Sequence, residues 1–286
     1  MRTRRYLNFL LPHFNTGRTK EIFHMNPTVL PVREDSAHMH IEVFEYDSTS
    51  LKVWEPASVR ETFPLFESDR LSWINIGGLR KADVEEISRH FGIHALIVED
   101  VLSVEQRPKM DEIDNVLFCL LNMLYFNRQK VAVETEQVSI VLGKNFVISF
   151  QDDAQRDVFN SVRDKLRVNN SKLRNSGPDY LCYVLLDTIV DHYFEVMELL
   201  GERMEQLEEE IIRKSNTRSL AKINSIRKEL IVLKRNATPV RDLLYNIIKS
   251  ESDLIGERTT KYFKDVHDHI VQAADLAENY RDLMIN

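Results

Sequence analysis

Apolar positions recur along this chain with two different periods. Between residues 38 and 151 the pattern is that of strands with short helices. His40–Tyr46 (HIEVFEY) alternates polar and apolar side chains as a half-buried strand does, and KVWE follows after a short polar turn. SWINI (Ser72–Ile76) is a strand closed by Gly77-Gly78, and NVLFCLLNMLYF is continuously apolar, which predicts a central strand. TEQVSIVLG and NFVISFQ flank Gly143-Lys144-Asn145, the signature of a hairpin. Lys81–Phe91 instead has Val84, Ile87 and Phe91 at helical spacing, with Gly92 as its stop. Asp153–Val168 reads as an amphipathic helix with Val158, Val162 and Leu166 inward. Strands and helices in this order predict an α/β sandwich with a mixed, partly antiparallel sheet.

After Ser176-Gly177-Pro178 the period changes. From Asp179 onward there is one Pro (Pro239) and two Gly (Gly201, Gly256), so few turns are possible and three long helices are expected. The first runs from about Asp179 to Lys214. The second carries Ile226, Leu230, Leu233, Ala237, Val240, Leu244 and Ile247, a heptad seam that must pack lengthwise against another helix. The third starts near Thr259 with a similar seam of Phe263, Val266, Ile270, Ala273, Ala277, Tyr280 and Met284. The expected protein is α+β: a basic arm over 1–34, an α/β sandwich over 35–177, and long antiparallel helices forming a hairpin and stalk over 178–286.

Composition narrows the class. The formal net charge of −7 argues against a nucleic-acid binder, whose phosphate contacts need a basic surface. The two cysteines, Cys119 and Cys182, both lie in apolar stretches, which excludes a disulfide framework and a cysteine zinc site and fits a reducing compartment. No apolar run approaches the ~18 to 20 residues of a membrane span, and the basic start, MRTRRYLNFLLPHF, has too short an apolar part for a signal sequence. The chain is expected to be soluble as given, its arm a solvated tail or a contact for acidic lipid headgroups. Glu202–Glu210 holds five Glu and one Arg, and Arg213–Arg235 is basic, which predicts charge pairing at a helical hairpin tip. No G-x-S-x-G, glycine-rich phosphate loop or H-E-x-x-H occurs, so the sequence arranges no catalytic centre.

The last helix carries a second stripe: Asp265, Asp268, Gln272, Asp275, Asn279 and Asp282, also at steps of 3 and 4 and uninterrupted by Lys or Arg. It is either a solvated face or one of several identical stripes facing a shared axis along which cations travel. Other acids sit at ligand spacing: Asp187 and Asp191 at i,i+4, Asp265, Asp268 and His269 on the last helix, and the Glu99-Asp100 pair. Each set is either a helix-surface feature or a site; carboxylates with few His and no Cys suit a hard cation such as Mg²⁺. Clustered Asp and His also admit a metal-dependent hydrolase built on Glu99, Asp187 and His269, and the heptads admit a purely structural scaffold. The pattern stops at Asn286 in mid-helix, with neither a terminating Gly or Pro nor a basic last turn, as expected of a disordered end or a cut helix.

Trp73-Ile74-Asn75-Ile76, FGIHALIVEDVLSVEQRPK (Phe91–Lys109), EQVSIVL and YFKDVHDH (Tyr262–His269), in that order, resemble the cytoplasmic part of the CorA-type magnesium transporters over residues 30–286. The resemblance implies a homopentameric channel of the cell's inner (plasma) membrane, with this portion on the cytoplasmic side. It would pass Mg²⁺ and Co²⁺, and in some members Ni²⁺. The stalk helix would continue into a pore-lining membrane helix with a Gly-Met-Asn signature, followed by a second span, all beyond this chain. The resemblance also implies regulatory Mg²⁺ between neighbouring subunits. It places Asp100, with Glu99 beside it, opposite Asp265 of the next subunit. Asp268 and His269 follow as in the family pattern, Asp187 joins a second site through water, and Asp191 is a weaker match. Asp282, with Asp275 on the same stripe, would face the pore. His267 stands where an aromatic ring is usual, a departure toward a softer ion; a zinc-transporting member of the same superfamily is the alternative.

Overall fold

The computed structural model describes residues 33–104, 106–213 and 217–283. Seven strands form one sheet: β1 (His40–Tyr46), β2 (Leu51–Trp54), β3 (Leu71–Gly77), β4 (Lys109–Ile113), β5 (Val116–Asn127), β6 (Ala132–Leu142) and β7 (Phe146–Gln151). Their spatial order is β2-β1-β3-β7-β6-β5-β4. β3 and β7 are parallel, with Trp73 opposite Val147, and the other neighbouring pairs are antiparallel. The sheet is mixed, as its sequence predicts. In the β6–β7 hairpin the Gly143 N–H donates to the Phe146 carbonyl at 2.9 Å, and Leu142 lies opposite Val147.

Successive strand side chains alternate between the two faces, and both faces here are covered. Leu117, Cys119 and Leu121 of β5 enter one apolar core, while Val116, Phe118 and Leu120 enter the other. That double burial explains the unbroken apolar run. β5 is not central, however: it is second from the edge, with only β4 outside it.

One core is roofed by a 3₁₀ segment (Val59–Glu67), α1 (Lys81–His90) and α2 (Ala95–Leu102). Val84, Ile87 and Phe91 are all buried there, and α1 ends at Gly92, whose φ of +67° suits a residue without a Cβ. The expected helix over Asp153–Val168 is two pieces, a 3₁₀ turn (Ala154–Arg156) and α3 (Asn160–Arg167). The reason is local: the Asp153 carboxylate accepts from the Gln155 N–H at 2.9 Å, and Asp157 accepts from the Phe159 N–H at 2.7 Å, so side chains claim backbone donors that a continuous helix would use.

The second core joins the sheet to α3 and the three long helices, α4 (Pro178–Arg213), α5 (Thr217–Lys249) and α6 (Glu257–Leu283). Every residue of the expected α5 seam is buried, as are Phe263, Val266, Ile270, Ala273 and Ala277 of α6. At the hairpin tip Lys222 meets Glu210 at 2.5 Å, an acid–base pair of the expected kind. Residues 1–32 of the basic arm and Met284 lie outside the described residues. No described helix is long and apolar enough to cross a membrane.

Candidate metal centre

Because α6 buries one face, its opposite face is fixed. Asp265, Asp268, Gln272, Asp275, Asn279 and Asp282 are all exposed, so the polar stripe is a continuous solvent-facing strip along the helix. Asp282 pairs with Arg281 at 2.9 Å, and Asp268 lies 3.6 Å from the His267 ring nitrogen.

Packing of α4 against α6 brings Asp187 and Asp191, one helical turn apart, to His269. One ligand atom from each of the three lies within 4.8 Å of the others. This is the only grouping of three or more His, Cys, Asp or Glu ligands at such range among the described residues, and Glu99, Asp100, Asp265 and Asp268 are not part of it. Asp187 and His269 are half-buried and Asp191 is exposed. Burial pushes the Asp187 carboxyl above the ordinary range, with the Asp191 charge adding to it and Tyr183, His269 and Lys165 opposing. Asp191 is also raised, chiefly because its surroundings keep part of the water from its carboxylate although the residue as a whole is exposed, with His269, Lys165 and His192 opposing. The Tyr183 hydroxyl donates to Asp187 Oδ2 at 3.4 Å, and its ring is held among Tyr180, Tyr262 and Phe263. Burial, then the charges of Asp187, Tyr180 and Asp265, raise the Tyr183 phenol well above its usual value, so it remains a donor. Tyr183 lies at i,i+4 from Asp187 on α4, so that hydrogen bond follows from sequence spacing, whereas its contacts with Tyr262 and Phe263 arise only where α4 packs on α6.

Metal ligands sit ~2.0–2.2 Å from a bound ion, so donors this close need only small side-chain rotations to share one. Two carboxylates and an imidazole can take Mg²⁺ through oxygens and waters, or a first-row ion with the imidazole as a direct ligand. Hydrolase chemistry on Glu99, Asp187 and His269 gains no support, since Glu99 is exposed and outside the cluster.

Asp100 stands elsewhere, near the end of α2. Its side chain is 16% exposed and pairs with Lys109 Nζ at 2.6 Å; the same ammonium reaches Asp111 at 3.0 Å. The ion pair joins the E-D and Q-R-P-K segments, a link that sequence spacing does not reveal. Burial works against the Lys109 ammonium, but Asp100 and Asp111 outweigh it and raise its pKa. Gln137 of β6 steadies the end of α2, its amide donating to the carbonyls of Asp100 at 3.2 Å and Ser103 at 3.0 Å.

A mixed seven-stranded sheet carrying a long helical hairpin and an acid-faced helix defines a class, and comparison with known proteins gives it a family. Residues 68–286 match the model of the CorA-like Mg²⁺ transporter protein family. The cobalt/magnesium transport protein CorA of Thermotoga maritima is 35% identical over 253 residues, covering 88% of this chain and 71% of that protein. The chain belongs to this family, whose members are ion transporters and not enzymes. It spans 64% of the length of a Bacillus subtilis relative, 29% identical over 211 residues. The soluble domain of CorA from Methanocaldococcus jannaschii has the same fold, with a TM-score of 0.68 at 16% identity over 90% of this chain and 96% of that one. The ZntB cytoplasmic domain from Vibrio parahaemolyticus shares it too, with a TM-score of 0.67 at 15% identity over 86% and 94%.

Proposed function

We propose that this chain is the cytoplasmic sensing and gating portion of a channel for Mg²⁺ and Co²⁺ in the plasma membrane, working as a homopentamer. The observation that carries this reading is the placement of the acids: an exposed acidic strip on α6 beside the Asp187–Asp191–His269 cluster. Acids left unneutralised along one helix repel one another, and a divalent ion shared with a neighbouring subunit removes that cost. In this reading Mg²⁺ lies between Asp100 of one subunit and Asp265 of the next. Glu99 and Asp268 stand beside it, and Asp187, with Asp191 and His269, holds a second, water-mediated site. At an effective dielectric of ~20, two like charges 4 Å apart repel by about 4 kcal/mol, so filling or emptying such sites is enough to shift a subunit arrangement. Filled, they hold the ring symmetric and the pore shut. When cytosolic Mg²⁺ falls they empty, and Asp275 and Asp282 line a path toward the pore.

Thermal melting of the chain with and without millimolar Mg²⁺ tests this. Wild type should be stabilised, and Asp100→Ala or Asp265→Ala should lose most of the shift. A wild-type melt indifferent to Mg²⁺ removes the sensing role. The zinc-transporting alternative is favoured by one observation, the imidazole of His269 in the cluster. It predicts that Zn²⁺ stabilises the chain at far lower concentration than Mg²⁺, and that His269→Ala abolishes the difference.

A further inference from the structure

Cys119 of β5 and Cys182 of α4 are the chain's only two cysteines, and the fold sets them against each other. Both are fully buried, in the core that also holds Leu117, Leu121 and Leu185. The strand puts Cys119 on this face because its side chains alternate, with Phe118 and Leu120 entering the other core. The helix puts Cys182 there because Cys182, Ile189 and Tyr193, at steps of seven and four, share one buried face. That face lies along β5: the Tyr193 hydroxyl donates at 2.7 Å to the carbonyl of Asn122, three residues along the strand from Cys119. At the other end of the same contact the two thiols are within hydrogen-bonding reach of each other.

Two thiols from different layers of the fold, touching in an apolar core, have one covalent outcome that suits their surroundings. A disulfide carries no charge, whereas a metal needs both sulfurs as thiolates, which an apolar core penalises. The contact with Cys182, then burial, raise the Cys119 thiol well above its ordinary pKa, and the Asp111 charge adds to the rise. The pair is therefore reduced and slow to react at rest, and burial bars a bulky or charged oxidant. Hydrogen peroxide is neutral and little larger than water.

We propose that Cys119 and Cys182 are an oxidative modification site, a dithiol that hydrogen peroxide converts to a disulfide clamping α4 to the sheet. One sulfur attacks a peroxide oxygen as its S–H proton is lost. The O–O bond breaks, and the departing hydroxide takes that proton and leaves as water. The second sulfur then attacks the sulfenic acid so formed: the S–S bond forms, the S–O bond breaks, and the hydroxyl leaves as water with the second thiol's proton. The two thiols lose two electrons and two protons, and one peroxide becomes two waters. Cys182 immediately precedes Tyr183 and shares its helix with Asp187 and Asp191, so the bond fixes the base of that helix to β5. In a reducing compartment cellular thiols reopen it, which is the behaviour of a sensor rather than of a structural staple. The site stands on the packing of α4 against β5 and does not depend on where a metal binds.

Prolonged peroxide treatment of the folded full chain, followed by unfolding and thiol titration, tests the proposal. Free thiols should fall from two to none per chain, and non-reducing peptide mapping should find Cys119 joined to Cys182 within one chain. The oxidised sample should melt ~4 °C or more above the same sample after dithiothreitol, which reopens the bond and leaves oxidised methionines as they are. Amides of residues 181–190 should exchange about fivefold or more slowly while the bond is closed. Cys182→Ala, which keeps a small apolar side chain in the core, should show neither difference. Two thiols still free after treatment, oxidation to sulfinic or sulfonic acid without a bond, a bond found only between chains, or a bond that lowers the melting temperature would each overturn the proposal.

Discussion

At Asp100 a lysine already occupies the place that a metal would take. Lys109 can release that carboxylate cheaply because it keeps a second one, Asp111, within 3.0 Å. Lys109→Gln should therefore make Asp100 more available to Mg²⁺. An ion pair this exposed is worth up to ~1 kcal/mol, so the Mg²⁺ concentration giving half of the thermal stabilisation should fall by about two- to fivefold. No change would place Asp100 outside the metal's reach. Asp187 argues in the opposite sense. Its pKa is raised by burial and by Asp191, so the folded state holds the proton more firmly than the unfolded chain does. Stability tied to it is fully present below the ordinary carboxylate pKa and is lost as pH rises through the raised one. Without divalent ions Asp187→Asn should stabilise the chain at pH 7 by ~0.2–0.5 kcal/mol, the cost of an i,i+4 like-charge pair. The gain should shrink as pH falls into the carboxylate range, where wild type is neutral too. With saturating Mg²⁺ the order should reverse. Melts at pH 7 and pH 4, with and without Mg²⁺, check both signs.

Among the elements, those with a clear period and an end signal were legible in the residues. β1 spans the seven residues its alternation marks, and α1 stops at the glycine that its pattern runs into. The α5 seam is buried throughout, because a sustained heptad can be satisfied only by lengthwise packing. Legibility failed where a side chain intervened or where position in the sheet mattered. Asp153 and Asp157 split one expected helix, and an apolar run reports two covered faces without saying how far from the edge β5 lies. The candidate centre divides the same way. Asp187 and Asp191 are visible at i,i+4, and the α6 stripe is visible as a period, but His269 meets the α4 pair only through tertiary packing. Lys109 and Gln137 reach α2 from β4 and β6 through contacts with no fixed sequence offset. The two faces of α6 should respond differently to truncation. Ile270→Ala empties a fully buried site and should cost ~2–5 kcal/mol in denaturant unfolding. Asp268→Ala, on the exposed strip, should stay within ~0.5 kcal/mol. Equal costs would mean that the strip is structural.

For the whole molecule the question is what so many acids do on a face that a single chain leaves in water. One continuous core carries the sheet, α4, α5 and the inner face of α6, so folding does not call for the outer face of α6 to be acidic. Proposed neighbours supply the reason. Copies arranged about an axis would set these strips near one another, and their repulsion would make assembly depend on a cation. Sedimentation at fixed protein concentration should then show association that grows with Mg²⁺ over the millimolar range. Monovalent salt at equal ionic strength screens charges but cannot bridge two carboxylates, so it should not substitute. Asp265→Ala removes a bridging ligand and a repelling charge together, so its association should become weaker in Mg²⁺ yet less sensitive to Mg²⁺ removal. Asp275→Asn, ten residues along the same strip and outside the proposed bridge, removes only repulsion and should favour association at every Mg²⁺ concentration. Identical behaviour of the two variants would reduce the strip to a source of general repulsion and deny Asp265 any special place in holding the ion.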